Sequence, residues 1–479
     1  MRRLLQRVTC GLVALAFPLV AVGTAGAQEE LKDRDITLAV ETQLTLEEAV
    51  PAHRIDVETD AGVVTLSGEV DSYLAKLAAE DEAEEVRGVV GVVNMLEVDV
   101  PERTDARIRS DVVTALAADP ATEAFEISVA VDDGEVTLSG EVDSWAEKTL
   151  AADVARDISG VVDVANELTY EVTLDQADPE IREAIEQRLR SDASLDSGLI
   201  GVTVNDGVVT LTGSVASAAE KTEASTEAWM VAGVEEVNNN LEVQWWLDAD
   251  ETSDWGPEWT DGNAAAALRS ALAINPRVES FNVNVTVDDG VATLTGQVDN
   301  LEAKDAASEE ALDTLGIWRV KNHLRVRPSD TRTDSAIAQD VREMLDTALY
   351  VDDEGITVTV AGGLVYLGGE VESEFAKERA ESVASGVAGV IAVDNNLQVE
   401  RFEQAKADAA IEEDIRDELF WSPFVDSDDV AVQVSNGVAT LRGDVEDWSE
   451  YQSAEENAYE GGAVSVTNLL EIEYGNPVR

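Results

Sequence analysis

Five of the eight lysines in this chain of 479 residues, Lys76, Lys148, Lys221, Lys304 and Lys377, stand at one place in five copies of a repeated segment, and Tyr451 takes that place in a sixth. Each follows a recurring valine by six residues, where a second helix is expected to begin. An ammonium beside the free N–H groups of a helix start is a contact for phosphate or carboxylate. The same placement also serves an ion pair to a helical Glu, or a stem lying over the core. A second cluster is Trp245, Trp246, Trp255 and Trp259, four of nine tryptophans within one acidic connector. Exposed tryptophans anchor partners, and buried ones would dock the neighbouring segments together. Asp248, Asp250, Glu251 and Asp254 lie in the same connector, but their spacing is not that of a calcium loop. His53 and His323 occupy different places in different repeats and form no recurrent pair. No phosphate-binding loop, nucleophile elbow, zinc-helix motif or cysteine nucleophile occurs. The residues therefore predict no catalytic site, no metal and no cofactor. A carboxylate-based hydrolase is the remaining enzymatic alternative, with 99 acids and no distinguishing pair among them.

The elements that must position these residues repeat six times. GVVTLSG at Gly62–Gly68 recurs as GEVTLSG at Gly134–Gly140, GVVTLTG at Gly207–Gly213, GVATLTG at Gly290–Gly296, GLVYLGG at Gly363–Gly369 and GVATLRG at Gly437–Gly443. Successive starts lie 72, 73, 83, 73 and 74 residues apart, the length of a small domain. Upstream, apolar residues fall at i, i+4 and i+8, as in Ile36, Val40, Leu44 and Ile411, Ile415, Leu419. That spacing predicts one face of a helix. The period then changes to two on either side of Ala-Gly, Asp-Gly, Gly-Gly or Asn-Gly, the residues a two-residue type I′ hairpin requires. The closing glycines Gly68, Gly140, Gly213, Gly296, Gly369 and Gly443 fall on the core face of the second strand. They are expected to let a helix approach the sheet, or simply to end the strand. An Ala- and Glu-rich helix follows, then a G-[VIA]-x-x-V-x-N-x-L segment and a third alternating stretch. The predicted class is α+β: six tandem α-β-β-α-β units, each a three-stranded sheet covered by two helices.

The helix, the x-G-[VL]-[VA]-T-L-x-G hairpin, the second helix and the G-V-x-x-V-x-N-x-L closure resemble the BON domain, named for bacterial osmotically inducible and nodulation-type proteins. The resemblance spans roughly Asp33 to Tyr474, in repeats at 33–100, 104–173, 178–244, 260–327, 333–400 and 408–474, with the Trp-rich acidic linker at 245–259. It implies a non-catalytic envelope module, associated among its members with phospholipid surfaces, periplasmic chaperone-like protection and osmotic stress.

Arg2, Arg3 and Arg7, the apolar stretch Gly11–Val22 and Ala25-Gly26-Ala27 predict a secretory signal peptide over residues 1–27 and a periplasmic or secreted product with no membrane span. Cys10 leaves with it, so the exported chain has no thiol. Cleavage takes the formal charge from −66 to −69 over 452 residues, a composition suited to high salt. Nucleic acid is excluded as a partner on that charge, since phosphate binding needs clustered Lys and Arg. The expected function is an envelope or osmotic-stress scaffold, or a chaperone-like protein, that contacts proteins or the cell-envelope surface through many weak sites. A phospholipid-surface module is the alternative. The sequence sets no oligomeric state.

Overall fold

The computed structural model describes residues 31–47, 49–100, 103–119, 121–122, 126–170, 176–195, 197–246, 260–278, 282–328, 332–351, 355–399, 407–445 and 448–472. The leader expected at 1–27 and the tryptophans Trp255 and Trp259 lie outside them. Each repeat runs α-β-β-α-β, as the periodicities require. The first helices are α1 (Asp33–Leu46), α3 (Asp105–Ala118), α5 (Asp178–Ser191), α7 (Asp261–Leu272), α9 (Asp334–Thr347) and α11 (Asp408–Trp421). The second helices are α2 (Tyr73–Glu84), α4 (Trp145–Arg156), α6 (Ala218–Trp229), α8 (Leu301–Leu312), α10 (Glu374–Ser385) and α12 (Trp448–Glu460). Strands are numbered β1–β18 in chain order, three to a repeat, beginning with β1 (Ile55–Asp60), β2 (Val63–Val70) and β3 (Gly91–Val98).

In every sheet the second strand is central, antiparallel to the first and parallel to the third. A parallel return needs a crossover, and the second helix supplies it. The i, i+4, i+8 residues of the first helix are buried in all six copies, from Ile36, Val40 and Leu44 through to Ile411, Ile415 and Leu419. They pack on strand residues such as Val64, Leu66 and Leu96, and on small second-helix residues such as Ala79 and Ala83. Alanine there lets helix and sheet approach closely, so each repeat closes a core of its own.

The hairpin turns carry positive φ at both central residues, 51° and 76° at Ala61 and Gly62, 49° and 76° at Asp206 and Gly207. The closing glycines have a different cause from the one expected. At Gly68 (φ 125°) an added Cβ would lie 2.1 Å from the Arg54 carbonyl oxygen, and at Gly443 1.8 Å from that of Asp429. The clash is with backbone entering the neighbouring strand, not with a helix. Helix approach is instead enabled by the glycine after the second helix. A Cβ on Gly88 would meet Leu31 at 2.9 Å and Ile36 at 3.1 Å.

The repeats do not form an open string. The first three and last three fold back on each other, pairing repeat 1 with 6, 2 with 5 and 3 with 4. Each pairing sets the end of a first helix against the turn that follows a second helix. Arg87 donates from its backbone N–H to the Trp421 carbonyl (2.8 Å) and from its guanidinium to the Ser422 and Val425 carbonyls (3.0 and 3.2 Å). Trp421 packs against the repeat 1 core. Ile158 and Ala348 form an antiparallel bridge between repeats 2 and 5, reinforced by Arg379–Asp157 at 2.7 Å. Asp192 and Thr314 form the equivalent bridge between 3 and 4. Diagonal contacts tie the two rows further, with Arg277 3.0 Å from Asp119 and the Tyr350 hydroxyl 2.6 Å from the Ser72 hydroxyl. Repeats 3 and 4, the pair in direct contact through Asp192 and Thr314, are those between which the spacing widens to 83 residues.

Candidate binding surfaces

The five recurrent lysines sit one to a repeat, half-buried, in the first turn of the second helix, and the fold does not bring them together. That turn is built the same way each time. Ser72, Ser144, Ser217, Asn300 and Ser373 cap the helix, each side-chain oxygen accepting from the N–H three residues on. The asparagine of the closing segment then ties the helix to the third strand. The side-chain amides of Asn94, Asn166, Asn239, Asn322 and Asn395 donate to the lysine carbonyls at 2.5–2.9 Å. Asn468 does the same for Tyr451 at 3.1 Å. The lysine position is thus fixed by its backbone. Among the described residues Lys76, Lys148, Lys221 and Lys304 make no ion pair. Burial pulls the Lys148 ammonium below its ordinary range, and does the same at Lys221 against the opposing pull of Glu84 and Glu242.

A carboxylate missed in the sequence organises the other end of each unit. Asp33 accepts from the backbone N–H groups of both Ala61 and Gly62 at 3.0 Å. Asp178, Asp261, Asp334 and Asp408 hold both N–H groups of their own turns, and Asp105 holds that of Gly134. The aspartate stands 29 residues before the turn glycine in every copy, which is the signal that would have revealed it. At Asp408 the two backbone hydrogen bonds favour the ionised form and hold the carboxyl below the usual carboxylate value.

Of the connector tryptophans, Trp245 and Trp246 fall in a turn after the third repeat, edge to face with centroids 5.9 Å apart, and Trp246 is exposed. Other tryptophans join repeats. Trp145 and Trp229 stack between repeats 2 and 3 at 6.1 Å. A cleft of about 610 Å³ opens where repeats 2, 4 and 5 meet, lined by Val113, Asn300, Met344 and the Arg332–Asp340 pair. Asp192, Glu223 and Glu227 form a carboxylate group in repeat 3, but Glu227 is paired with Arg188 at 2.6 Å and Asp192 accepts from Ser194. His53 and His323 lie far apart in the topology, on a 3₁₀ turn and an edge strand.

The open face of each sheet carries the largest differences between repeats. In repeat 1 it exposes Val63, Val93 and Met95, beside the carboxylates of Asp56, Glu58 and Asp60 on the edge strand β1. In repeat 3 the same face exposes Thr203, Thr212, Asn238 and Asn240. In repeat 4, with strands β10 (Asn284–Asp288), β11 (Val291–Val298) and β12 (Arg319–Val326), it exposes Arg319, Lys321, His323 and Arg325. Reading the chain by total charge hid this basic row.

Six units of this topology, each with a type I′ hairpin, a positive-φ closing glycine and an asparagine tie, define a tandem array of one small α+β module. The BON domain matches residues 32–100, 104–172, 177–244, 260–328, 333–401 and 407–474, and the chain belongs to the BON-domain family. It is 34% identical over 145 residues to the osmotically-inducible protein Y of Escherichia coli (strain K12), covering 29% of this chain and 72% of that one. Among solved structures, the C-terminal domain of CdsD, a structural protein of the type III secretion system of Chlamydia trachomatis, matches at 16% identity over 47% of this chain and 100% of that chain, with a TM-score of 0.13. A second CdsD structure matches at 15% identity over 46% of this chain and 92% of that one, with a TM-score of 0.12. Both scores are too low to bear on fold or function. Among the described residues no helix is long and apolar enough to cross a membrane.

Proposed function

We propose that this protein is an exported, non-catalytic array that holds other proteins, or the cell-envelope surface, through several weak and dissimilar sites during osmotic stress. The observation that carries this reading is the contrast between a core repeated six times and an open sheet face that is apolar beside an acidic edge, hydroxyl- and amide-rich, or basic according to the repeat. A catalytic protein concentrates its chemistry in one constellation, whereas an array that varies its exposed faces multiplies contacts and gains avidity from their number. Membership of the BON family and the likeness to an osmotically inducible protein support the setting.

The competing reading is a phospholipid-surface module working through Lys76, Lys148, Lys221, Lys304 and Lys377. Vesicle flotation separates the two. Five half-buried ammonium groups spread over a chain of net charge −66 should give negligible flotation with anionic vesicles at about 50 mM salt, where surface charge is poorly screened. In-compartment crosslinking should recover proteins instead. Strong flotation at that salt, abolished by changing those five lysines to Glu, would replace the protein-directed reading with the phospholipid one.

A further inference from the structure

The basic row of repeat 4 stands apart from the rest of the molecule. Arg319, Lys321, His323 and Arg325 alternate along β12, and Arg327 continues the register just beyond it; all five are exposed. Because alternate residues of a strand share a face at about 6.6 Å spacing, they form one line of positive charge. β12 is also the edge strand of its sheet. Among the described residues Arg319, Lys321, Arg325 and Arg327 make no ion pair, although acids outnumber Lys and Arg three to one, 99 to 33. The Arg319 guanidinium lies 4.7 Å over the Trp318 ring, whose N–H is anchored on the Asp289 carbonyl at 2.7 Å. The corresponding strands elsewhere are acidic or neutral at these positions, for example Asp163 and Glu167 in repeat 2, and Glu236 and Glu242 in repeat 3.

A matching row exists on the same chain. Along β1 of repeat 1, Asp56, Glu58 and Asp60 alternate at the same spacing, all exposed and all on an edge strand. None of the three makes an ion pair among the described residues. Both partners offer an edge strand and opposite charges able to lie directly across from each other, with one backbone group of the β12 edge, the Leu324 N–H, already held by the Asn322 side chain at 3.0 Å. Arginine forks add bidentate geometry to carboxylates.

We infer that β12 of one copy receives β1 of a second copy. The contact joins two different surfaces, so each dimer still presents a free β12 at one end and a free β1 at the other, and assembly continues as an open chain of copies. Salt acts on it in two directions. Repulsion between two polyanions is long-ranged and is screened first, while pairs in contact are screened later. Association should therefore be strongest at intermediate salt. This inference stands on the two edge strands and does not depend on the proposed binding role.

Sedimentation velocity of the purified chain at micromolar concentrations tests it. The expected result is concentration-dependent association at about 0.15 M salt that falls off by about 1 M, where the Debye length shrinks to about 3 Å. Two charge-reversed chains, Lys321→Glu with Arg325→Glu and Asp56→Lys with Glu58→Lys, should each remain monomeric. Mixed together they should associate again, through the unaltered β12 and β1 rows and also through the two reversed rows, which are complementary to each other. All four positions are exposed, so unchanged circular dichroism is expected and separates lost association from lost folding. A wild-type chain that stays monomeric at every salt, or reversed chains that fail to pair when mixed, would overturn the inference. Capture of anionic vesicles or a soluble polyanion through the basic row, without self-association, would overturn it as well.

Discussion

An aspartate 29 residues ahead of each hairpin glycine does at the residue scale what no loop sequence could do alone. It takes the turn's N–H groups on one carboxylate and so joins the start of the first helix to the tip of the hairpin. The turn needs that support, because its first position is a non-glycine residue at positive φ in five of the six copies. Asp178→Ala should cost about 1–2 kcal/mol, the range for losing hydrogen bonds to a charged acceptor that water partly replaces, while Asp178→Asn, which keeps one acceptor, should cost less. Chemical unfolding gives the total, and hydrogen exchange at Asp206 and Gly207 locates it. An equal loss of protection throughout all six repeats would show that the aspartate does not act on its own turn.

At the scale of elements, the ends of the second helices carry acids into the junctions between repeats. Glu460, at the end of α12, lies among Glu456 of its own helix and Glu47 and Glu85 of repeat 1, and burial together with these like charges raises its carboxyl to about 7. A folded value above the ordinary 4.5 means the stabilising contribution is complete below 4.5 and is lost as pH rises through about 7. Thermal unfolding should therefore show the protein more stable at pH 5.5 than at pH 8, by about 2 kcal/mol from this group at roughly 1.4 kcal/mol per pH unit over the interval from 5.5 to about 7. Glu460→Gln should flatten that part of the profile. A wild type that gains stability from pH 5.5 to 8, or a Gln variant with an unaltered profile, would remove Glu460 as its cause. Asp408 has the opposite sign, since the N–H groups of its turn hold it below its ordinary value and its contribution is lost on strong acidification. The elements themselves were legible in the sequence, because burial writes periodicity directly: Ile36, Val40 and Leu44 mark a helix face, and Asp206-Gly207 marks a turn. The clamp was not, because one carboxylate among 99 acids has no periodic signal until its fixed distance to the turn glycine is compared across copies. The closing glycines were seen but given the wrong obstacle. Period two gives the face of a residue and not the carbonyl it meets across the hairpin.

The whole molecule is where the sequence was least informative. The third repeat spacing is wider than the others, but nothing in it announces the pairing of 1 with 6, 2 with 5 and 3 with 4, which rests on single contacts such as Arg87 on Trp421 and Arg379 on Asp157 that have no repeat to betray them. The folded-back arrangement gives the array one body with differing sheet faces, and both proposals for its contacts depend on those faces being outward. An engineered disulfide tests this arrangement most directly. Ile158 and Ala348 belong to repeats 2 and 5 and face each other across an antiparallel bridge. Cα atoms so paired lie about 4.5–5.5 Å apart, within the range a disulfide spans. With Cys10, the sole native cysteine, replaced by Ser, a chain bearing Ile158→Cys and Ala348→Cys should oxidise to an intramolecular crosslink. Non-reducing electrophoresis would show it as a faster-migrating monomer, formed to the same extent at every protein concentration. Thiols that stay free, or that link only between molecules, would contradict the folded-back array and leave six repeats on an open string.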